Sequence, residues 1–77
     1  MALDDEQKRT VLQQMVDSAE MDIFRQEAEL AALNAEASAT TDEMQKQTVQ
    51  LNIDNVTQTL ARLRARQQAW SDQLASL

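Results

Sequence analysis

The chain has 77 residues, a formal net charge of −6 and an isoelectric point of about 4.3. It contains no cysteine, histidine, glycine or proline, which excludes disulfides, the usual zinc sites, thiol and histidine chemistry, and glycine-rich phosphate loops. A chain this short forms a thin core unless another chain adds buried surface. We therefore expect a protein that associates with protein, and we expect no enzyme activity, metal or cofactor.

Residue composition favours an all-α protein. Alanine, leucine, glutamine, glutamate and arginine dominate the sequence, and aromatic residues make up only 3% of it. Hydrophobic residues make up 43% and recur periodically, which argues against disorder. No stretch approaches the roughly 18 apolar residues of a membrane span, and the N-terminus lacks the pattern of a signal peptide. We expect no membrane insertion and a cytoplasmic location.

The first half of the chain predicts an amphipathic helix over residues 4–37. Asp4 is the expected N-cap, with acidic residues following it in the first turn. Apolar residues then alternate in steps of three and four, the spacing of a coiled-coil seam, and Gln26 fills the one gap. The predicted seam residues of this helix are Leu12, Val16, Ala19, Ile23, Leu30 and Leu33.

A slip in the heptad frame predicts a turn at residues 38–41. Extending the first frame past Ala37 would place a seam position at Met44, whereas the second half uses Lys46, two residues later. A slip of two residues rotates the seam too far for one straight helix to keep a single partner. The alternative is one continuous helix with a polar patch, since no glycine or proline interrupts the stretch.

Local chemistry also favours the turn. Thr40 and Glu43 form the T-x-x-E pattern of a capping box, in which the hydroxyl and the carboxylate each accept from the other residue's backbone N–H. This pattern predicts that a second helix begins near residue 41 and continues to about residue 76.

The second half has an uninterrupted seam. Its predicted core residues are Val49, Ile53, Val56, Leu60, Leu63, Trp70 and Leu74. The two helices then form a helical hairpin, an antiparallel coiled coil, which we expect to associate into a larger helical bundle. The whole chain, residues 1–77, is one domain.

The two seams can be aligned in a register that joins a and d positions along the whole hairpin. This register places Gln67 opposite Leu12 and Trp70 opposite Arg9, where a cation–π contact would close the end of the hairpin. It also places Arg64 and Arg66 beside the seam, where they would meet acidic residues. The expected acidic neighbours are Asp17 and Glu20.

A second apolar stripe lies away from the seam and is the candidate partner-binding surface. The alternative is that the stripe has no binding role, since alanines favour helices and single exposed methionines are common. Phe24 favours a protein contact surface, because a single phenylalanine on a solvent-exposed helix face is hard to explain otherwise. The candidate residues are Met21, Phe24, Ala28, Ala31 and Ala35 on the first helix, and Met44 and Leu51 on the second.

Charge is unevenly distributed along the chain. Residues 20–45 carry seven acidic side chains and one basic one, Arg25, whereas residues 46–77 have a net charge of +2. The three arginines of "RLRAR" at residues 62–66 could contact phosphates, but alternate residues do not share a helix face. We therefore do not expect binding to nucleic acid.

Two functional hypotheses remain. The first is a non-enzymatic interaction module that self-associates through the second stripe, with a dimer forming a four-helix bundle as the favoured assembly. The alternative is a small acidic chaperone, adaptor or inhibitor, of the type found in phages and secretion systems. Such a protein would use the same stripe to bind a different protein.

Overall fold

The protein is an all-α helical hairpin. The computed structural model describes residues 2–77 and contains two helices, α1 (Asp5–Ala39) and α2 (Glu43–Ala75), joined by a short turn at residues 40–42. The helices pack side by side along the hairpin, whose longest dimension is 58 Å. The predicted fold class is confirmed. The helix boundaries differ from the predicted ones by two residues at the turn, because α1 ends later and α2 begins later than expected.

A capping box fixes the start of α1. The Gln7 backbone N–H donates to Asp4 Oδ1 at 2.8 Å, and the Asp4 backbone N–H donates to Gln7 Oε1 at 3.1 Å. Two of the N–H groups that a helix start leaves unpaired are therefore satisfied by side chains. Asp4 is the N-cap, as predicted, and Gln7 completes the box.

Removing this cap should weaken the hairpin measurably. We expect Asp4→Ala to lower the free energy of unfolding by about 1 kcal/mol, because the Gln7 N–H loses its acceptor. Asp4→Asn is the matched control, since asparagine keeps a side-chain oxygen at the cap and changes only the charge. Urea denaturation at one fixed protein concentration, followed by circular dichroism, measures both. Equal losses in the two variants would show that charge, and not the cap, stabilises this end.

The turn is built differently from the predicted capping box. Thr40 ends α1: its N–H and its hydroxyl donate to the Glu36 carbonyl at 3.0 and 2.7 Å. Asp42 is the N-cap of α2, and its carbonyl accepts from the Lys46 N–H at 2.9 Å. The predicted pairing of Thr40 with Glu43 is therefore wrong, because α1 continues to Ala39 and uses the Thr40 hydroxyl itself.

The backbone of the turn explains why it needs no glycine. Thr40 has φ −86° and ψ 130°, and Asp42 has φ −79° and ψ 127°. Both lie in the extended region, which any residue adopts without strain. The chain reverses direction through extended residues, and among residues 2–77 none has a positive φ.

The seam between the helices forms a narrow core. Its five buried residues are Ala19, Ile23, Leu33, Val49 and Leu60, each 7% exposed or less. The other predicted seam residues are half-buried: Leu12, Val16, Leu30, Ile53, Val56, Leu63, Trp70 and Leu74. Two helices that meet along one seam leave the opposite face of each in water, so this core is thin for a chain of 77 residues.

Gln67 shows how the helices are aligned. Its Nε2 donates to the Val16 carbonyl at 3.3 Å and to Glu20 Oε2 at 2.6 Å. These two acceptors flank Ala19 on α1, whereas the predicted register placed Gln67 opposite Leu12. Gln67 therefore lies seven residues further along α1 than predicted.

Two further contacts show a displacement in the same direction. The Arg9 guanidinium donates to the Leu77 carbonyl at 2.6 Å, seven residues beyond Trp70, its predicted neighbour. Arg64 pairs with Glu27 at 3.8 Å, which lies further along α1 than either expected acidic neighbour, Asp17 or Glu20. The predicted register is wrong by one heptad. A displacement of seven residues preserves every a–d pairing, so the heptad pattern alone permits both alignments.

Candidate protein-binding surface

The outer face of α1 carries a continuous apolar stripe. Phe24 is 71% exposed and Met21 is 60% exposed, although the neighbouring Ile23 is only 5% exposed. Spacings of three and four residues align the members on one side of the helix, facing away from the seam. We call this set the outer stripe: Met21, Phe24, Ala28, Ala31 and Ala35, all exposed.

The two candidate residues of α2 lie on a different face. Met44 is 77% exposed and Leu51 is 64% exposed. Leu51 is two residues from Val49 and from Ile53, both of which lie in the seam, so it points away from α1. The outer faces of two paired helices point in opposite directions. The seven candidate residues are therefore divided between two sides of the hairpin, and the stronger apolar set is on α1.

The end of the outer stripe that carries the large side chains Met21 and Phe24 is bordered by residues of α1 only. Glu20, Met21, Phe24 and Arg25 line a shallow depression there. The Phe24 ring is thus placed where another chain can reach it without any rearrangement of α2. A large exposed apolar side chain in such a position is typical of a protein contact surface.

The acidic side chains beside this end are paired within the chain. Three of them accept from a nearby amide or guanidinium group, and two of the three donors come from α2. The pairs are Glu20 with Gln67 (2.6 Å), Asp22 with Arg25 (3.1 Å) and Glu27 with Arg64 (3.8 Å). Exposed ion pairs contribute little to stability. The two guanidinium partners, Arg25 and Arg64, do reduce the negative potential that another acidic chain would meet at this face, whereas the Gln67 amide is neutral.

The arginines of "RLRAR" also make contacts inside the hairpin. Arg64 pairs with Glu27, and the Arg66 guanidinium lies 5.2 Å from the centre of the Trp70 ring. The predicted cation–π contact of Trp70 with Arg9 is wrong, because Arg66 is one helical turn away on the same helix. The i, i+4 spacing of Arg66 and Trp70 in the sequence is itself a pattern that predicts their contact.

Residues 2–77 contain neither a metal-binding cluster nor a membrane-spanning helix. Within residues 2–77, no three acidic side chains come close enough together to hold a metal ion. No helix in that part of the chain is both long and apolar enough to cross a membrane. The expectations of no enzyme activity and no cofactor stay predictions.

The fold and this surface define the class of the protein as a two-helix antiparallel hairpin with coiled-coil packing and an exposed apolar stripe on one helix. No family model matches the sequence, and comparison with curated proteins and with solved structures also gave no match.

Proposed function

We propose that this protein is a non-enzymatic interaction module that self-associates, as a dimer, through the outer stripe of α1. The observation that carries the proposal is the exposure of Phe24, at 71%, on the apolar outer face of α1. Burying a phenylalanine or methionine side chain contributes about 1.5–3 kcal/mol. A symmetric dimer would bury Phe24 and Met21 from each copy, so these side chains would contribute most of the binding energy.

The surface area of the hairpin supports association. Its accessible surface is 5782 Å² for a mass of 8.7 kDa. Compact monomers of this mass expose about 4,700 Å², so the hairpin exposes roughly 1,000 Å² more than expected. A specific interface buries about 800 Å² on each partner. One contact of ordinary size would therefore remove most of the excess.

Concentration-dependent melting tests self-association. Because a dimer dissociates when it unfolds, raising the protein concentration about a hundredfold should raise the melting temperature by several degrees. Circular dichroism at 222 nm can follow unfolding in cells of different path length. A melting temperature that stays constant across the series would contradict the proposal.

Charge favours the alternative, a binder of another protein. Residues 20–45 carry a net charge of −6, which would attract a partner with basic side chains around an apolar centre. In this second proposal the outer stripe receives a basic amphipathic helix of a different protein, as in a small acidic chaperone, adaptor or inhibitor. The isolated chain would then be monomeric, and its melting temperature would not depend on concentration.

A further inference from the structure

The outer stripe is graded in size along α1. Its N-terminal end carries Met21 and Phe24, and the three positions that follow at helical spacing are alanines. Ala28 lies midway between Met21 and Ala35, seven residues from each. The stripe therefore has one bulky half and one shallow half of equal length.

We propose that two copies pack their outer stripes antiparallel, with the two-fold axis close to Ala28; this inference rests on the proposed self-association. In this arrangement Phe24 of each copy lies over Ala31 of the other, and Met21 lies near Ala35. Each bulky side chain meets a position where a methyl group leaves room for it. Alanine at the crossing also lets the two helix backbones approach closely, within the 8–10 Å range of packed helices.

A parallel arrangement fits poorly by comparison. It would stack Phe24 on Phe24 and hold the helices apart there, while the alanines faced one another across a gap. Atoms beside such a gap lose their dispersion contacts, and the stripe would bury less area. The size gradient therefore favours the antiparallel arrangement, which also opposes the two helix dipoles.

Two acidic residues, Glu27 and Glu29, flank Ala28 at the axis, and Glu27 is paired within its own chain. Glu27 precedes Ala28, and two copies of its carboxylate would approach each other near the axis. Arg64 of the same chain already lies 3.8 Å from Glu27, so each carboxylate arrives with a guanidinium beside it. This pairing reduces the like-charge repulsion on the Glu27 side of the axis, whereas Glu29, which follows Ala28, makes no ion pair within residues 2–77.

Disulfide trapping tests the geometry, because the natural chain has no cysteine to interfere. Three variants are made: Met21→Cys, Ala28→Cys and Ala35→Cys. Each is oxidised alone, and Met21→Cys is also oxidised after mixing with Ala35→Cys. Intact mass spectrometry separates mixed from self-linked dimers, because the two chains differ in mass.

We expect Ala28→Cys to link to itself and Met21→Cys to link to Ala35→Cys. Met21→Cys alone should stay unlinked, because the two copies of that position would lie roughly 21 Å apart at 1.5 Å per residue, beyond the reach of a disulfide. If Met21→Cys and Ala35→Cys each link to themselves and no mixed dimer forms, the antiparallel arrangement is overturned. Self-association would still hold. If none of the variants links and the particle has the mass of one chain, the proposed function fails together with the antiparallel arrangement.

Discussion

Replacing Phe24 by aspartate should reduce the particle from two chains to one chain of 8.7 kDa. Phe24 is 71% exposed within a single hairpin, so the substitution removes little packing from the hairpin itself. In the dimer, however, it would bury a carboxylate from each copy against the alanines of the other. Burying an unpaired charge costs several kcal/mol, which exceeds what the remaining stripe can supply. Light scattering coupled to size exclusion measures the change in mass.

Gln58→Asp is the matched control for this variant. Gln58 is exposed on α2 and lies seven residues from Leu51, on the same outward side of that helix. Its substitution adds the same charge far from the outer stripe and should leave the mass unchanged. If both aspartate variants dissociate, net charge and not the stripe governs association. If Phe24→Asp stays at twice the chain mass, the outer stripe is not the contact surface.

Leu60→Ala should destabilise the hairpin more than any substitution on its outer faces. Leu60 is 3% exposed in the centre of the seam. Truncating a buried leucine to alanine costs about 2–5 kcal/mol, because apolar contacts are lost and a cavity remains. A domain of this size has a total stability of about 4–12 kcal/mol, so a large share of it would be lost. Urea denaturation at a fixed protein concentration gives the difference.

Leu51→Ala is the control, because it makes the same chemical change on the same helix at a side chain that is 64% exposed. We expect its effect to stay within about 0.5 kcal/mol, as for most surface substitutions. Equal losses at Leu60 and Leu51 would mean that α2 packs through a different face. A large loss at Leu51 that disappears on dilution would instead assign the outer face of α2 to the dimer contact.

The hairpin itself could be predicted because two independent patterns agree. Seam residues such as Ile23 and Leu60 follow the coiled-coil spacing, and burial follows that spacing in both helices. The two-residue slip of the frame then excludes one straight helix with one partner. Neither argument needs a glycine or a proline, and the turn contains neither.

The alignment of the helices could not be predicted in the same way. The heptad pattern repeats every seven residues, so Gln67 fits the seam opposite Leu12 and equally well opposite Ala19. The path of residues 40–42 decides between these alignments, and the extended Thr40 and Asp42 define that path. The T-x-x-E pattern was misleading because a threonine hydroxyl can also bond back to the carbonyl four residues earlier, as Thr40 does to Glu36.

The candidate surface was predictable in part. Helical periodicity placed Phe24 and Met21 away from the seam, and both are exposed. Periodicity is a property of one helix, however, and does not show how the faces of two helices combine. Only the packed hairpin places Leu51 on the opposite side from Phe24. Any surface that covers the stripe would belong to a second molecule, which the sequence of one chain does not contain.

The mass of the particle in solution tests most directly whether the hairpin pairs with a second copy of itself. Multi-angle light scattering on the natural chain at tens of micromolar should give about twice the chain mass of 8.7 kDa. A particle of one chain mass at that concentration would contradict self-association. The outer stripe would then be a surface for a different, basic protein.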